Sequence, residues 1–160
     1  MDKILILGVS SFAGSSFTNY LFQNYNFELY GTYNSKKNLS KLIFKKNKCK
    51  IKLIKIDLSK KQNKLLHNVK KIKPKYIFDF ASVCLVNESW FDPEYYFKVN
   101  VDSKVELVKN LHNFKFLKKF VYISTPEVFG STNKSVKENE TSFNPTTPYA
   151  ISKLSIEKLL

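Results

Sequence analysis

A chain of 160 residues, 43% hydrophobic and 15% aromatic, is long enough for one folded domain with a real core and too apolar to be disordered. Its net charge of +14 rests on 27 basic residues, all of them lysine, so the arginine forks that read bases and clamp phosphates are missing and specific nucleic-acid binding is excluded in favour of weak attraction to polyanions. Ile4-Leu5-Ile6-Leu7 is too short for a membrane span or signal segment, and Cys49 and Cys84 lack metal-ligand spacing, so the expectation is a cytoplasmic protein with reduced thiols, no membrane contact and no metal.

The elements follow in chain order. Lys3–Leu7 predicts a strand, and Gly8-Val9-Ser10-Ser11-Phe12-Ala13-Gly14 a tight turn into a helix over Gly14–Asn24. A second strand over Phe27–Thr32 leads to Asn34-Ser35-Lys36-Lys37, a short helix is expected near Leu39–Phe44, and a third strand over Ile51–Ile56 ends at Asp57-Leu58. A helix over Lys60–Lys71, a strand over Tyr76–Phe80, a helix over Pro93–Asn113 and a strand over Phe120–Ile123 come next. Gly130–Pro148 is polar and reads as a loop into a last helix starting near Pro148. Strands that are nearly continuous in Val, Ile, Leu, Phe and Tyr suit burial on both faces, and their alternation with helices predicts an α/β, doubly wound parallel sheet. The last helix meets Leu159-Leu160 without a cap, which predicts the front part of a longer protein. His67 and His112 stand alone and read as solvated or packed.

The glycine turn after the first strand aims helix N-terminal NH groups at a pyrophosphate, so a nucleotide is expected there. Its spacing is G-x-x-S-x-x-G; Ser11 crowds the phosphates with a Cβ and offers a hydroxyl donor. No acid follows the second strand to meet an adenosine ribose, while Ser35, Lys36 and Lys37 suit a 2′-phosphate, which favours NADP over NAD. Asp57 has two readings, a contact to adenine or a cap for Ser59 onward. Near the other end, Tyr149 and Lys153 are four apart and share a helix face, where an ammonium beside a phenol would lower the phenol's pKa. A Tyr poised in that way exchanges a proton with a sugar or alcohol hydroxyl while hydride leaves the same carbon. YxxxK alone is also a common accident on a lysine-rich helix.

In order along the chain stand the glycine turn, Asp57-Leu58, Phe78-Asp79-Phe80-Ala81-Ser82, Glu88-Ser89-Trp90 with Asp92-Pro93, Val99-Asn100-Val101, Phe120-Val121-Tyr122-Ile123-Ser124-Thr125, Val128-Phe129-Gly130 and Pro148-Tyr149-Ala150-Ile151-Ser152-Lys153. Together they resemble the extended short-chain dehydrogenase/reductases, the NAD-dependent epimerase/dehydratase group that acts on nucleotide sugars. The chain departs from that pattern at Ser11, where the middle glycine is usual, and at Val83 and Cys84, where polar residues are usual.

The resemblance implies a Rossmann-like NAD(P)-binding domain over 1–160, truncated before a C-terminal substrate part. It places the cofactor on Gly8, Ser11, Phe12, Ala13, Gly14, Asn34, Ser35, Lys36, Asp57, Leu58, Ala81, Ser82, Asn100, Ser124, Tyr149 and Lys153. It makes Tyr149 the general base at the sugar C4 hydroxyl, with Lys153 on the nicotinamide ribose and Thr125 orienting the hydroxyl. Glu127 matches the glutamate that 4,6-dehydratases use at C5, whereas epimerases have a smaller or apolar residue there. Pro126 stands where one dehydratase subgroup has an acid; other dehydratases carry Thr-x-Glu alone. A nucleotide-sugar 4,6-dehydratase is the expectation, with an epimerase or reductase, or a non-catalytic dinucleotide-binding regulator, as alternatives. The implied partners are a nucleotide-diphosphate sugar and a second copy paired through the helices near 93–113 and 148–160.

Overall fold

The computed structural model describes residues 1–35, 51–60 and 64–160. The helix expected near Leu39–Phe44, Lys36 and Cys49 all lie outside the described residues. Five parallel strands form one sheet in the order β3-β2-β1-β4-β5: β1 (Lys3–Leu7), β2 (Glu28–Tyr33), β3 (Lys52–Lys55), β4 (Tyr76–Asp79) and β5 (Lys119–Tyr122). The expected Rossmann-like doubly wound fold is the fold observed.

β1 is the hub, paired to β2 on one edge and β4 on the other. Period-two alternation sends Leu5 and Leu7 to one face and Ile4 and Ile6 to the other, and all four are buried. Leu5, Leu7 and Ile77 pack against Leu65, Val69 and Ile72 of α2 (Lys64–Ile72) and against Leu107. Ile4, Ile6 and Leu29 pack against Phe17 and Leu21 of α1 (Phe12–Asn24). These two apolar layers make the α/β/α sandwich that a both-faces-buried strand requires.

The boundaries that moved have local causes. α1 begins two residues earlier than expected because Ser11 caps it, its side chain accepting from the Gly14 NH at 3.0 Å. β4 ends before Phe80 because the Asp79 side chain accepts from the Ala81 NH at 2.9 Å and bends the chain. The long helix, α3, is composite: Pro93–Phe97, a π-helical turn Lys98–Asp102, and Ser103–Asn110. After β5 a 3₁₀ turn, Pro126–Phe129, leads into the loop that ends at α4 (Pro148–Leu159), which Thr147 caps. Among the described residues no helix is long and apolar enough to cross a membrane, and no group of three or more His, Cys, Asp or Glu is placed to hold a metal.

The turn after β1 depends on Gly8. Its φ is +73°, and a Cβ there would lie 2.8 Å from the Ala81 Cα. Gly8→Ala therefore combines left-handed strain with a backbone collision, and is expected to destabilise the fold by about 2 kcal/mol or more. A lowered urea midpoint at unchanged slope checks this; an unchanged midpoint would show that the two strand ends are not in rigid contact.

Candidate active site

Sheet order reverses between β1 and β4, so the loops leaving their C-terminal ends diverge and open a crevice. A cleft of about 340 Å³ lies there. Of the residues expected to hold the cofactor, it is lined by Gly8, Ser11, Asn34, Leu58, Ala81 and Ser82. Thr32, Ser59, Val83, Cys84 and Tyr95 line it too. Val83 and Cys84 stood out in the sequence as departures from the family pattern; Thr32, Ser59 and Tyr95 were not legible beforehand, since membership depends on where loops from four strands converge.

At the glycine turn the cleft has backbone geometry suited to the pyrophosphate of a dinucleotide. Gly14 is buried under the Gly8 carbonyl, where a Cβ would come within 2.4 Å, so the start of α1 sits hard against the turn with Phe12 and Ala13 exposed on its first turn. Backbone held this closely brings helix-terminal NH groups to a phosphate without side chains in the way. The Ser11 hydroxyl oxygen accepts from the Gly14 NH at 3.0 Å, which leaves its proton to be donated, with no acceptor for it among the described residues.

Two residues expected at the cofactor are held by the protein itself. Asp57 accepts from both the NH and the hydroxyl of Ser59, at 3.0 and 2.7 Å, which holds its carboxyl below the usual carboxylate range, so it caps its own turn while Leu58 faces the cleft. Asn100 is fully buried in the π-helical turn. Its amide accepts from the Val83 NH at 2.9 Å and donates to the Val83 carbonyl and the Ser152 hydroxyl, both at 3.0 Å. Asn100 clamps the loop after β4 to α4. The extra residue of a π turn is what presents it, and no sequence pattern announces such a turn.

The residues expected to exchange protons come together beyond the end of β5. Pro148 at the first helical position and the Thr147 cap start α4, which sets Tyr149 and Lys153 one turn apart and both buried. The Tyr149 ring meets Tyr96 edge-on at 6.3 Å, and its phenol has the Thr125 hydroxyl as a hydrogen-bonding neighbour. Thr125 caps the 3₁₀ turn that carries Glu127, and the charges of Glu127 and Cys84 are felt at the phenol. The Ser124 hydroxyl donates to the Glu157 carboxylate, one turn beyond Lys153.

Electrostatics differ from expectation in one respect. Burial pushes the Tyr149 phenol up; the Thr125 hydrogen bond opposes this and the neighbouring Cys84 and Glu127 charges add to it. Lys153 does not lower it, because its Nζ donates to the Ile123 carbonyl at 2.6 Å and lies 4.2 Å from the Tyr122 ring centroid. Burial, followed by the charge of Lys104, brings Lys153 down to about 8.

Residues 5–160 match the profile of the GDP-mannose 4,6 dehydratase family. The chain belongs to this family. Along 61% of its length it is 34% identical to a dTDP-D-glucose 4,6-dehydratase of Dictyostelium discoideum, covering 25% of that protein. The UDP-Glc/GlcNAc 4-epimerase of Campylobacter jejuni superposes on 99% of the chain and 48% of its own, with TM-score 0.83 and 25% identity. A UDP-glucuronic acid 4-epimerase of Bacillus cereus, solved with UDP-glucuronic acid and NAD, superposes on 98% of the chain and 50% of its own, with TM-score 0.79 and 25% identity. The chain thus spans about half the length of these solved structures, and a quarter to a half of the curated relatives. The resemblance to the epimerase/dehydratase group, read first from motifs, is thereby established.

The Lys153 value has a thermodynamic consequence. Between pH 8 and 10.5 the unfolded chain binds more protons at this lysine than the folded one, so stability rises with pH through that window. Tyr122 and Tyr149, both pushed above 10, act oppositely only beyond pH 10. From pH 8 to 9.5, the stability of the protein relative to Lys153→Met is expected to grow by about 1–2 kcal/mol. Urea unfolding of both at the two pH values checks it, and parallel pH dependence would refute the perturbed lysine.

Proposed function

We propose that this chain carries the cofactor cleft and the acid/base set of a nucleotide-sugar 4,6-dehydratase that uses transient oxidation at C4. The observation that carries this reading is Glu127: the turn capped by Thr125 brings a second proton acceptor close enough for its charge to be felt at the Tyr149 phenol. An epimerase needs one acid/base at C4, whereas a dehydratase also needs a base at C5.

In this reading the turn at Gly8 and the start of α1 hold the pyrophosphate of a nicotinamide dinucleotide, and Ala81 and Ser82 line its path toward Tyr149. When bound, that group supplies the hydride acceptor at C4 and the donor at C6. Tyr149 takes the O4 proton, with Thr125 orienting the hydroxyl. Glu127 takes the C5 proton, made acidic by the C4 ketone, and water leaves from C6. Lys153 supplies positive charge at the nicotinamide ribose. Ser35 and Lys36 with no acid after β2 favour NADP, while the similar epimerase of Bacillus cereus was solved with NAD. A nucleotide-diphosphate sugar is the substrate class. A homodimer through α3 and α4 is supported by exposed Ile151 on α4 and by exposed Trp90 and Phe91 in the turn just before α3.

Epimerisation is the second reading, favoured by likeness to 4-epimerases from Lacticaseibacillus casei and Campylobacter jejuni. Incubating the complete protein with NADP or NAD and UDP-, dTDP- and GDP-hexoses separates the two: a 4-keto-6-deoxy sugar supports dehydration, and a C4 epimer alone defeats it. Cofactor binding without turnover of any sugar supports a regulator.

Two substitutions test the roles. Tyr149→Phe is expected to lower turnover by about 10²–10⁴-fold while cofactor affinity changes little; near-normal turnover rejects the assignment. Glu127→Gln is expected to leave C4 oxidation, seen as cofactor reduction at 340 nm (the absorbance of a reduced nicotinamide, roughly, by general cofactor chemistry), and to abolish water loss. Normal dehydration by this variant removes the case for a dehydratase.

A further inference from the structure

Beneath the site lies a charge pair that the chemistry above leaves unused. Asp79 at the end of β4 and Lys104 on α3 are each 1% exposed. Lys104 Nζ lies 2.9 Å from Asp79 Oδ2, off the hydrogen-bonding direction, so this contact is chiefly Coulombic. The ammonium donates to the Ala81 carbonyl, while Asp79 Oδ1 accepts from the Ala81 NH. The pair therefore grips both polar groups of the residue that packs against Gly8 at the cleft floor. It also faces the acid/base set, because Lys104 Nζ is 5.2 Å and Lys153 Nζ 4.2 Å from the centroid of one ring, Tyr122.

We propose that Asp79 and Lys104 are positioning residues for Lys153, forming a buried charged seat behind Tyr122 that fixes the charge environment of the Lys153 ammonium. A second buried cation beside Lys153 is tolerated only with a carboxylate at hand, and Asp79 supplies it. The groups facing Lys153 are Asp79 from β4, Cys84 from the loop after it, Lys104 from α3, Tyr122 from β5 and Glu157 from α4. Lys104 pushes protons off Lys153; Asp79, Cys84 and Glu157 hold them on, and the Lys104 effect exceeds that of Asp79. Burial keeps Tyr122 protonated, so it presents only a neutral ring. The seat gives the site a lysine that gains or loses its proton near neutral pH, where an ordinary lysine stays charged.

The inference rests on the reading of Lys153 as a working cation, and its test does not depend on turnover. In the intact protein labelled with [ε-¹³C]lysine, the Lys153 resonance is assigned by its absence from Lys153→Met. Its titration midpoint is expected to rise in Lys104→Met by about half to one pH unit, a three- to tenfold gain in proton affinity. If that variant, which strands Asp79, does not fold, Asp79→Asn combined with Lys104→Met removes both charges at nearly constant volume. There the midpoint is expected to rise less, but still upward. A midpoint that is unchanged or lowered in the folded double variant overturns the proposal, since a merely structural pair leaves Lys153 titration where it was. Failure of every sugar nucleotide to react would count against the enzymatic reading alone.

Discussion

The rest of the structure depends on β1 being hydrogen-bonded along both edges and buried on both faces at the place where strand order reverses. A strand enclosed in this way has no freedom at its C-terminal end, and the chain must leave through the gap between the loops of β2 and β4. Gly8 makes that exit with positive φ, in contact with Ala81. Gly14 sets the start of α1 against the same turn, so the turn that floors the cleft and the sheet's central packing are one constraint seen from two sides. A side chain at Gly8 would separate the ends of β1 and β4, and the cleft would lose its floor.

The second half of the site is tied to the first by buried polar groups. Asn100 meets both backbone groups of Val83 and the Ser152 hydroxyl, so the loop after β4, the π-helical turn and α4 move as a unit. Each partner left alone would be an unsatisfied group in the interior, a penalty of about 1–3 kcal/mol. That penalty enforces the register of α4, and the register of α4 decides whether Tyr149 reaches Thr125.

Much of this architecture was legible because apolar periodicity is a property of the chain itself. The five strands, α1, and the start of α4 at Pro148 follow from runs of Val, Ile, Leu and Phe punctuated by Gly, Ser, Thr and Pro. The grouping of Thr125, Glu127 and Tyr149 was legible through motif order. The cap made by Asp57 was one of the two readings its position allowed, whereas the clamp made by Asn100 was not legible, since a clamping amide looks in sequence like a ligand-binding one. Lys104 also escaped notice among 27 lysines. The signal was there: three and four residues before Leu107 and Val108, and four after Asn100, it stands on the buried face of its helix, where a solvated lysine has no place.

Burial acts on the two proton-bearing residues in opposite senses, and this is what the site gains from its depth. It raises the Tyr149 phenol and lowers the Lys153 ammonium, so both are drawn toward their neutral forms. A surface Tyr/Lys pair would sit far from either neutral state only at the lysine. Here the two groups, ordinarily close in proton affinity, move apart, so the phenol holds its proton more tightly than the lysine does and the resting site keeps that proton on Tyr149.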